Sequence, residues 1–213
     1  MEFDFSKLRR MDRSKLIIST IVPRPIGWVT SISDDGIVNA APYSFFNGMS
    51  SDPPLVVLGL ERYGHASNKD TGDNIAANGE FVVNLVNEDL AQAMNVTAIT
   101  FPPDIDELAE AGLTAIPGSQ VKPPRIAQSP VAFECRQTHT LDVGKANQIV
   151  VGEILHMYIG DEFIDLDKMY VDTPALKLIG RMHGGGWYAR TTDLFEMQRI
   201  PLDEWDLKEG AIE

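Results

Sequence analysis

The stretch that decides the fold is residues 22–54, which read VPRPIGWVTSISDDGIVNAAPYSFFNGMSSDPP. Two short apolar segments, Ile26 to Ser33 and Ile37 to Ala41, flank an Asp-Asp-Gly turn and predict a β-hairpin, because an Asp-Gly pair supplies the positive φ angles of a tight turn. A segment dense in serine, asparagine and aromatic residues follows, and it leads into a third apolar strand, Leu55 to Leu60. Since that segment has many hydrogen-bonding side chains and little charge, it is typical of a ligand-binding loop.

The composition is that of a globular protein. The chain has 213 residues, of which 44% are hydrophobic and 23% are charged, and this is enough for one sizeable core. No apolar run approaches the roughly 20 residues of a membrane-spanning helix, and the N-terminus lacks the basic-then-apolar layout of a signal peptide. The single cysteine, Cys135, excludes an internal disulfide framework. We therefore expect a cytoplasmic protein that contacts no membrane.

The formal net charge of −13 restricts the ligands that the chain can bind. It argues against a nucleic-acid-binding protein, because such a protein needs a basic face to neutralise phosphates. An anionic ligand would also need local positive charge or oriented backbone amides to overcome the overall field.

Strand patterns outnumber helix patterns in the rest of the chain. Further strands are predicted at Phe81 to Val86, Val131 to Leu141 and Ile149 to Ile159, and helices at Asn68 to Asn78, Glu88 to Val96 and Asp106 to Ala111. Pro117 to Pro130 is expected to cross the surface, and Gly180 to Gly186 to form a turn. Because strands and helices do not alternate regularly, the pattern favours a mainly β fold, an antiparallel barrel with added helices. We expect one domain over 1–213, with its core at about 15–190 and a C-terminal arm at 191–213.

Several catalytic signatures are absent from the sequence. The four histidines, at 65, 139, 156 and 183, lack the i, i+4 spacing of a zinc helix, so we expect no metal site. There is no Gly-x-Ser-x-Gly nucleophile elbow and no Gly-x-Gly-x-x-Gly dinucleotide motif after a strand. A nicotinamide, if used, would have to be held in another way.

Seven ordered segments carry a resemblance to a known family. They are RPIGWVTS at 24–31, NAAPYSFF at 39–46, SSDPPL at 50–55, KDT at 69–71, GEFVVNL at 79–85, SPVAFEC at 129–135 and IGRMHGGGWYA at 179–189. With these segments the chain resembles the flavin reductase-like family of FMN-binding split-barrel proteins. The resemblance implies a six-stranded antiparallel split barrel of Greek-key type, a homodimer, and FMN (in some members FAD) near the subunit interface. It also implies hydride transfer from NADH or NADPH to the flavin and, in some members, a monooxygenase partner.

The resemblance also suggests candidate flavin-binding residues. Thr30 and Ser31 match the family's flavin-contacting segment, with ordinary strand hydroxyls as the alternative. The small residues around Asn39 would let the backbone approach a flat ring, or would simply pack in a crowded strand. The complete set of candidates in this half of the chain is Thr30, Ser31, Asn39, Ala40, Ala41, Ser44, Asn47, Ser50 and Ser51. The last four are expected to serve the ribityl chain and ring oxygens, which need neutral donors.

Charged candidates lie further along the chain. Lys69 and Thr71 are predicted to hold the FMN phosphate at a helix N-terminus, where free N–H groups and the helix dipole favour an anion; an ordinary capped surface helix is the alternative. Arg181 and Tyr188 flank the glycine run, and Arg181 could pair with phosphate or with reduced flavin. His183 could exchange protons near neutral pH or could be structural.

The sequence thus predicts an FMN-dependent oxidoreductase of flavin reductase type, which passes hydride from NAD(P)H to bound flavin and on to a partner or oxygen. Two alternatives stay open. One is a flavoprotein oxygenase that acts on a small organic substrate, and the other is a flavin-binding electron carrier without turnover. Because the cofactor carries the chemistry, no single acid or base need be essential.

Overall fold

The computed structural model describes residues 1–61, 70–102, 104–144 and 147–205, and it contains many short and two long strands. In chain order they are β1 (Arg24–Pro25), β2 (Gly27–Ile32), β3 (Val38–Tyr43), β4 (Phe46–Ser51), β5 (Pro54–Glu61), β6 (Glu80–Leu85), β7 (Ala115–Ile116), β8 (Arg125–Ile126), β9 (Val131–Val143), β10 (Asn147–Ile159), β11 (Ile164–Asp165), β12 (Tyr170–Val171), β13 (Ile179–Arg181) and β14 (Tyr188–Arg190).

The described residues form fewer helices than strands. The helices are α1 (Arg10–Thr20), α2 (Asp70–Asn78), α3 (Ala91–Val96), α4 (Glu107–Glu110) and α5 (Leu202–Trp205), with 3-10 turns at Phe5–Lys7, Glu88–Leu90 and Asp161–Phe163. In the part of the chain that the structure describes, no helix has the length and apolar character needed to cross a membrane.

Seven antiparallel strands form the main sheet, in the order β3-β2-β6-β9-β10-β5-β4. Its two edge strands, β3 and β4, are separated in the chain by only two residues, so the sheet must curl until its edges meet at one corner. The curled sheet encloses a core that includes Val29, Tyr43, Leu58, Phe81 and Val150. The expectation of a mainly β barrel is therefore confirmed, with seven strands in the main sheet where six were expected.

Close packing at the corner explains Gly27 of the opening stretch without reference to a ligand. A Cβ atom on Gly27 would lie 2.9 Å from the ring of Phe46. Next to it, the Gly59 N–H donates to the Phe45 carbonyl at 2.7 Å. Glycine at position 27 thus lets β2 and β4 approach each other, and Phe46 packs against the barrel core, whereas Phe45 is exposed.

A second core lies between the outer face of the hairpin and the short helices. Trp28 and Ala40 point to this side and pack with Met94 of α3 and Leu108 of α4. The indole N–H of Trp28 donates to the Thr97 hydroxyl at 2.9 Å, so the polar group of this buried ring has a hydrogen-bond partner.

Most predicted elements are confirmed with small shifts at their ends. The hairpin turn has Gly36 at φ +84°, as an Asp-Gly turn requires. Asp106 caps α4 by accepting from two backbone N–H groups. The predicted helix at Glu88 to Val96 begins as a 3-10 turn, and two residues of the predicted Asn68 to Asn78 helix lie outside the described residues.

Two expectations are wrong. Residues 46–51 form β4, an edge strand paired with β5, where the sequence suggested a loop. Pro117 to Pro130 is not a surface crossing, because it packs on the sheet and much of it is buried. The buried carboxylate of Glu134 holds it there by accepting from the backbone N–H groups of Ser119, Gln120 and Val121 at 2.6 to 3.2 Å. The helix α1 was not anticipated.

Candidate functional site

A buried polar network joins β2, β3, α2 and α4. The Thr71 hydroxyl donates to Asn39 Oδ1 at 2.6 Å, and Asn74 Nδ2 donates to the Ser31 hydroxyl at 3.0 Å. On its other side, Asn39 Nδ2 donates to Glu107 Oε1 at 2.7 Å. All five side chains are buried. The fold thus brings together three predicted site residues, Ser31, Asn39 and Thr71, from two distant parts of the chain.

Glu107 also belongs to this network, although no local sequence pattern indicates it. Its carboxylate is only 5% exposed, and it also accepts from the Ala40 N–H at 3.2 Å. A carboxylate beside the start of α2 disfavours a phosphate there unless a cation compensates. Lys69, the cation predicted for that role, lies outside the described residues.

Thr30 and the two alanines have mainly internal contacts. The Thr30 hydroxyl is buried and donates to the Pro124 carbonyl at 2.5 Å, so Thr30 is not a surface hydroxyl. Ala40 packs in the second core, whereas Ala41 is half-buried on the opposite face of β3, beside the barrel core. The two alanine side chains therefore cannot face one ligand, because successive residues of a strand point to opposite sides.

The polar side chains of β4 are exposed along the sheet edge. Asn47 Oδ1 accepts from the Gly48 N–H at 2.9 Å, and the Ser50 hydroxyl accepts from the Asp52 N–H at 3.2 Å. Both contacts use acceptor positions and leave the side-chain donors of Asn47 and Ser50 available, with Ser51 exposed beside them. The edge thus offers neutral donors to a neighbouring molecule.

A second cluster is built around a buried arginine, Arg24, which is 5% exposed. Its guanidinium donates to the Met182 carbonyl at 2.7 Å, to the Ile18 and Ile21 carbonyls at 2.6 and 2.9 Å, and to the Ser44 hydroxyl at 3.3 Å. These contacts tie the end of α1, the corner between β3 and β4, and the glycine run together. Burial lowers the pKa of Arg24, and the nearby charge of Arg181 lowers it further.

The glycine run is the tip of the β13–β14 hairpin. Gly185 and Gly186 have φ angles of +78° and +82°, which other residues rarely adopt, so they form the turn. Arg181 faces Tyr188 across the two strands, with its guanidinium carbon 4.7 Å from the ring centroid. The rings of His183 and Trp187 lie 5.7 Å apart at the tip.

Strand β3 connects the two clusters. Asn39, near its beginning, belongs to the buried network, and Ser44, just after its end, receives the hydrogen bond from Arg24. Five residues of extended chain span roughly 17 Å. Across this distance the predicted residues form one elongated side of the barrel, with a buried polar end and a cationic, aromatic end.

This fold and site define a split-barrel protein, and comparison with known proteins identifies its family. Residues 19–173 match the family described as the flavin reductase like domain, so the chain belongs to that family, whose members include flavin-dependent oxidoreductases. Membership of this family supports the use of a flavin by this chain. The match covers every strand from β1 to β12.

Three solved structures are similar over nearly their whole length. The 2-nitrobenzoate 2-nitroreductase NbaA of Pseudomonas fluorescens is 37% identical, with a TM-score of 0.86 over 95% of this chain and 97% of that one. Nitrilotriacetate monooxygenase component B of Bacillus cereus is 29% identical, with a TM-score of 0.87 over 92% and 98%. A split-barrel protein of Shewanella frigidimarina, 20% identical with a TM-score of 0.77 over 94% and 98%, has the same fold.

The donors on the described residues match the chemistry of a flavin. An uncharged ring and a polyol chain need neutral donors, such as those of β4, and a phosphate needs cations or free helix N–H groups. Arg24 and Arg181 add positive charge to this side of an acidic protein. In the described ranges, no three His, Cys, Asp or Glu side chains are grouped so that they could hold a metal.

Proposed function

We propose that this chain is an FMN-dependent oxidoreductase of flavin reductase type, which uses NADH or NADPH as electron donor. The observation that carries the proposal is the family match over residues 19–173, which spans the curled sheet and the exposed donors of β4. When bound, FMN would supply a ring that accepts a hydride and passes electrons on.

The residues of the chain would bind and orient the FMN. We infer that Ser44, Asn47, Ser50 and Ser51, with the backbone near Ala41, donate to the ring and ribityl oxygens. Three of these residues, Asn47, Ser50 and Ser51, are uncharged and exposed on β4, and Ser44 is half-buried just before that strand, which supports this role. Ser31, Asn39 and Ala40 belong to the buried network at the other end of β3, and we propose that they hold β3 in place, while Thr30 holds β2 through its bond to the Pro124 carbonyl.

For the phosphate, we propose the N–H groups at the start of α2 together with Lys69. The first N–H groups of a helix have no partner within it. The Thr71 hydroxyl is engaged with Asn39, so Thr71 would contribute its backbone N–H. Arg181, His183 and Tyr188 would border the other end of the site, where the nicotinamide or another substrate enters.

We further propose that 1–213 forms one domain, with a core at about 15–190 and an arm at 191–213, and that it acts as a cytoplasmic homodimer. Similarity to a protein named as component B of a monooxygenase supports an oxygenase partner that receives reduced flavin. Molecular oxygen would be the acceptor when no partner is present.

Steady-state oxidation of NADH and NADPH tests the proposed function. With catalytic FMN or FAD added, we expect sustained oxidation that depends on the flavin. A protein that binds FMN tightly but consumes no nicotinamide with any acceptor would instead be an electron carrier.

A second candidate function is the reduction of a small organic substrate on the protein itself. Similarity to an enzyme named for 2-nitrobenzoate, 37% identical over nearly the whole chain, favours it. NADH consumption that rises with 2-nitrobenzoate beyond the flavin-dependent background, with loss of the nitro compound, would select this function over the first.

A further inference from the structure

The β13–β14 hairpin carries an arginine that lacks an acidic partner. Among the described residues, Arg181 forms no ion pair. Its guanidinium carbon lies 4.7 Å from the centroid of the Tyr188 ring, in a cation–π contact. Arg190 of the same hairpin differs, because its guanidinium donates to both carboxylate oxygens of Glu88. No carboxylate of the described residues therefore pairs with Arg181, in a protein of net charge −13.

A second cation, Arg24, lies next to Arg181 and makes the binding of an anion there more favourable. Arg24 is the register partner of Arg181 across β1 and β13, and the charge of Arg181 lowers the pKa of Arg24. Arg24 itself bonds only to three carbonyls and a hydroxyl, all neutral. Two neighbouring cations without a described carboxylate between them would be stabilised by a bound anion.

An exposed ring lies against this arginine. Tyr188 is 37% exposed and faces Arg181 across the hairpin, whereas Trp187 lies against His183 at the tip. An exposed aromatic ring beside a cation is suited to a flat ring that carries a negative charge, since the ring can stack while the anion pairs with the guanidinium.

The hairpin has a fixed position relative to the proposed flavin site. The Arg24 guanidinium joins the Met182 carbonyl to the Ser44 hydroxyl, at the start of the exposed β4 edge. Gly180 packs so closely on Pro23 that an added Cβ would lie 2.8 Å from the proline side chain. A ligand held by Arg181 would thus be held close to that edge.

We propose that Arg181 and Tyr188 form a binding site for the carboxylate and ring of an aromatic acid. The carboxylate pairs with the Arg181 guanidinium, and the ring lies against the exposed Tyr188 side chain. The inference rests on the proposed function in one respect, since the acid is assigned as the substrate of the same flavin site.

Binding of benzoate to the FMN-loaded protein, measured by calorimetry without an electron donor, tests the site. Benzamide has the same ring without the charge, and acetate has the charge without the ring. We expect benzoate to bind about tenfold more tightly than either one, and Arg181→Gln to weaken benzoate binding about tenfold. Arg190→Gln is the matched control, because it removes a hairpin arginine that already has a partner, and it should bind benzoate like the wild type.

Four results would overturn the assignment. Equal binding of benzoate and benzamide would remove the role of the charge, and an equal loss in Arg190→Gln would remove the role of Arg181. Loss of FMN from Arg181→Gln would make Arg181 a cofactor residue. Displacement of benzoate by adenosine 2′,5′-bisphosphate, with tighter binding of that nucleotide through Arg181, would assign the site to NADPH.

The proposed function and this inference fail separately. Benzoate binding that depends on Arg181, in a protein that shows no flavin-dependent oxidation of NADH or NADPH, would leave the acid site standing and contradict the reductase. Flavin reduction without Arg181-dependent benzoate binding would support the reductase and contradict the acid site.

Discussion

The guanidinium of Arg24 donates to the backbone carbonyl of Met182, 158 residues later in the chain, at a distance of 2.7 Å. The same group bonds to two carbonyls at the end of α1 and to the Ser44 hydroxyl. One buried side chain thus holds the two ends of the domain and the corner of the barrel together. The position of the glycine hairpin depends on it.

Substitution of Arg24 should therefore destabilise the protein. Arg24→Gln leaves at least two of the three part-buried carbonyls without a donor and removes a buried side chain, and we expect a loss of about 3 kcal/mol in the free energy of unfolding, measured by urea denaturation. Arg13→Gln is the control, because Arg13 is an exposed residue of α1, and it should change stability by less than about 0.5 kcal/mol. Equal effects of the two substitutions would contradict the role given to Arg24.

The buried network depends in the same way on Asn39. Asn39→Ala removes the acceptor of the Thr71 hydroxyl and a donor to the Glu107 carboxylate, and we expect a loss of about 2 kcal/mol in urea denaturation. Asn95→Ala, at an exposed position of α3, is the matched control and should be close to neutral. If Asn39→Ala were as mild as the control, the network would contribute little to the fold.

The Cys135 thiol should be unreactive in the folded protein. Burial raises its pKa above the ordinary value of 9.0, and the neighbouring Glu134 carboxylate acts in the same direction. The thiol therefore stays protonated when folded, and alkylation by iodoacetamide should occur only at the rate of unfolding. Rapid alkylation of the native protein would show that Cys135 is accessible.

The same shift makes stability depend on pH. The unfolded state loses the thiol proton near pH 9.0, whereas the folded state keeps it. The contribution of this thiol to the free energy of unfolding is therefore complete below that pH and declines above it. In Cys135→Ala this alkaline decline should be smaller, as followed by urea denaturation at several pH values. An identical pH profile in the variant would exclude the thiol as its cause.

The Glu88–Arg190 ion pair predicts a pH effect at the base of the hairpin. Hydrogen bonding from Arg190 holds the pKa of the Glu88 carboxyl below its usual range. The contribution of this ion pair to stability is present above the pKa of Glu88 in the unfolded state. It disappears as pH falls through the lower pKa of the folded state. NMR titration should show the Glu88 pKa rise in Arg190→Gln; an unchanged value would mean that the pair does not persist in solution.

Local chemistry made part of the fold predictable. The hairpin follows from Asp35-Gly36, with the positive φ of Gly36 as its physical cause, and the long strands β9 and β10 follow from β-branched and alternating residues. Strand β4 could not be predicted in this way. It is rich in serine, asparagine and glycine, and it is a strand only because β5 supplies its hydrogen bonds.

The site was predictable in its residues more than in their relationships. Ser31, Asn39 and Thr71 were chosen separately, and the structure links them through one network. Glu107 belongs to the same network although it lies 68 residues after Asn39 in the chain. No local sequence pattern predicts such a long-range contact. The role of Arg24 could not be predicted, because three of its four partners are backbone carbonyls, which leave no pattern in the sequence.

Anaerobic addition of NADH or NADPH to the FMN-loaded protein tests the proposed function most directly. With bound FMN verified by its visible absorbance before mixing, the proposal predicts that at least one of the two donors removes that absorbance, and that readmitted oxygen restores it. A flavin that remains bound and oxidised in the presence of both donors would contradict the assignment of this chain as a reductase.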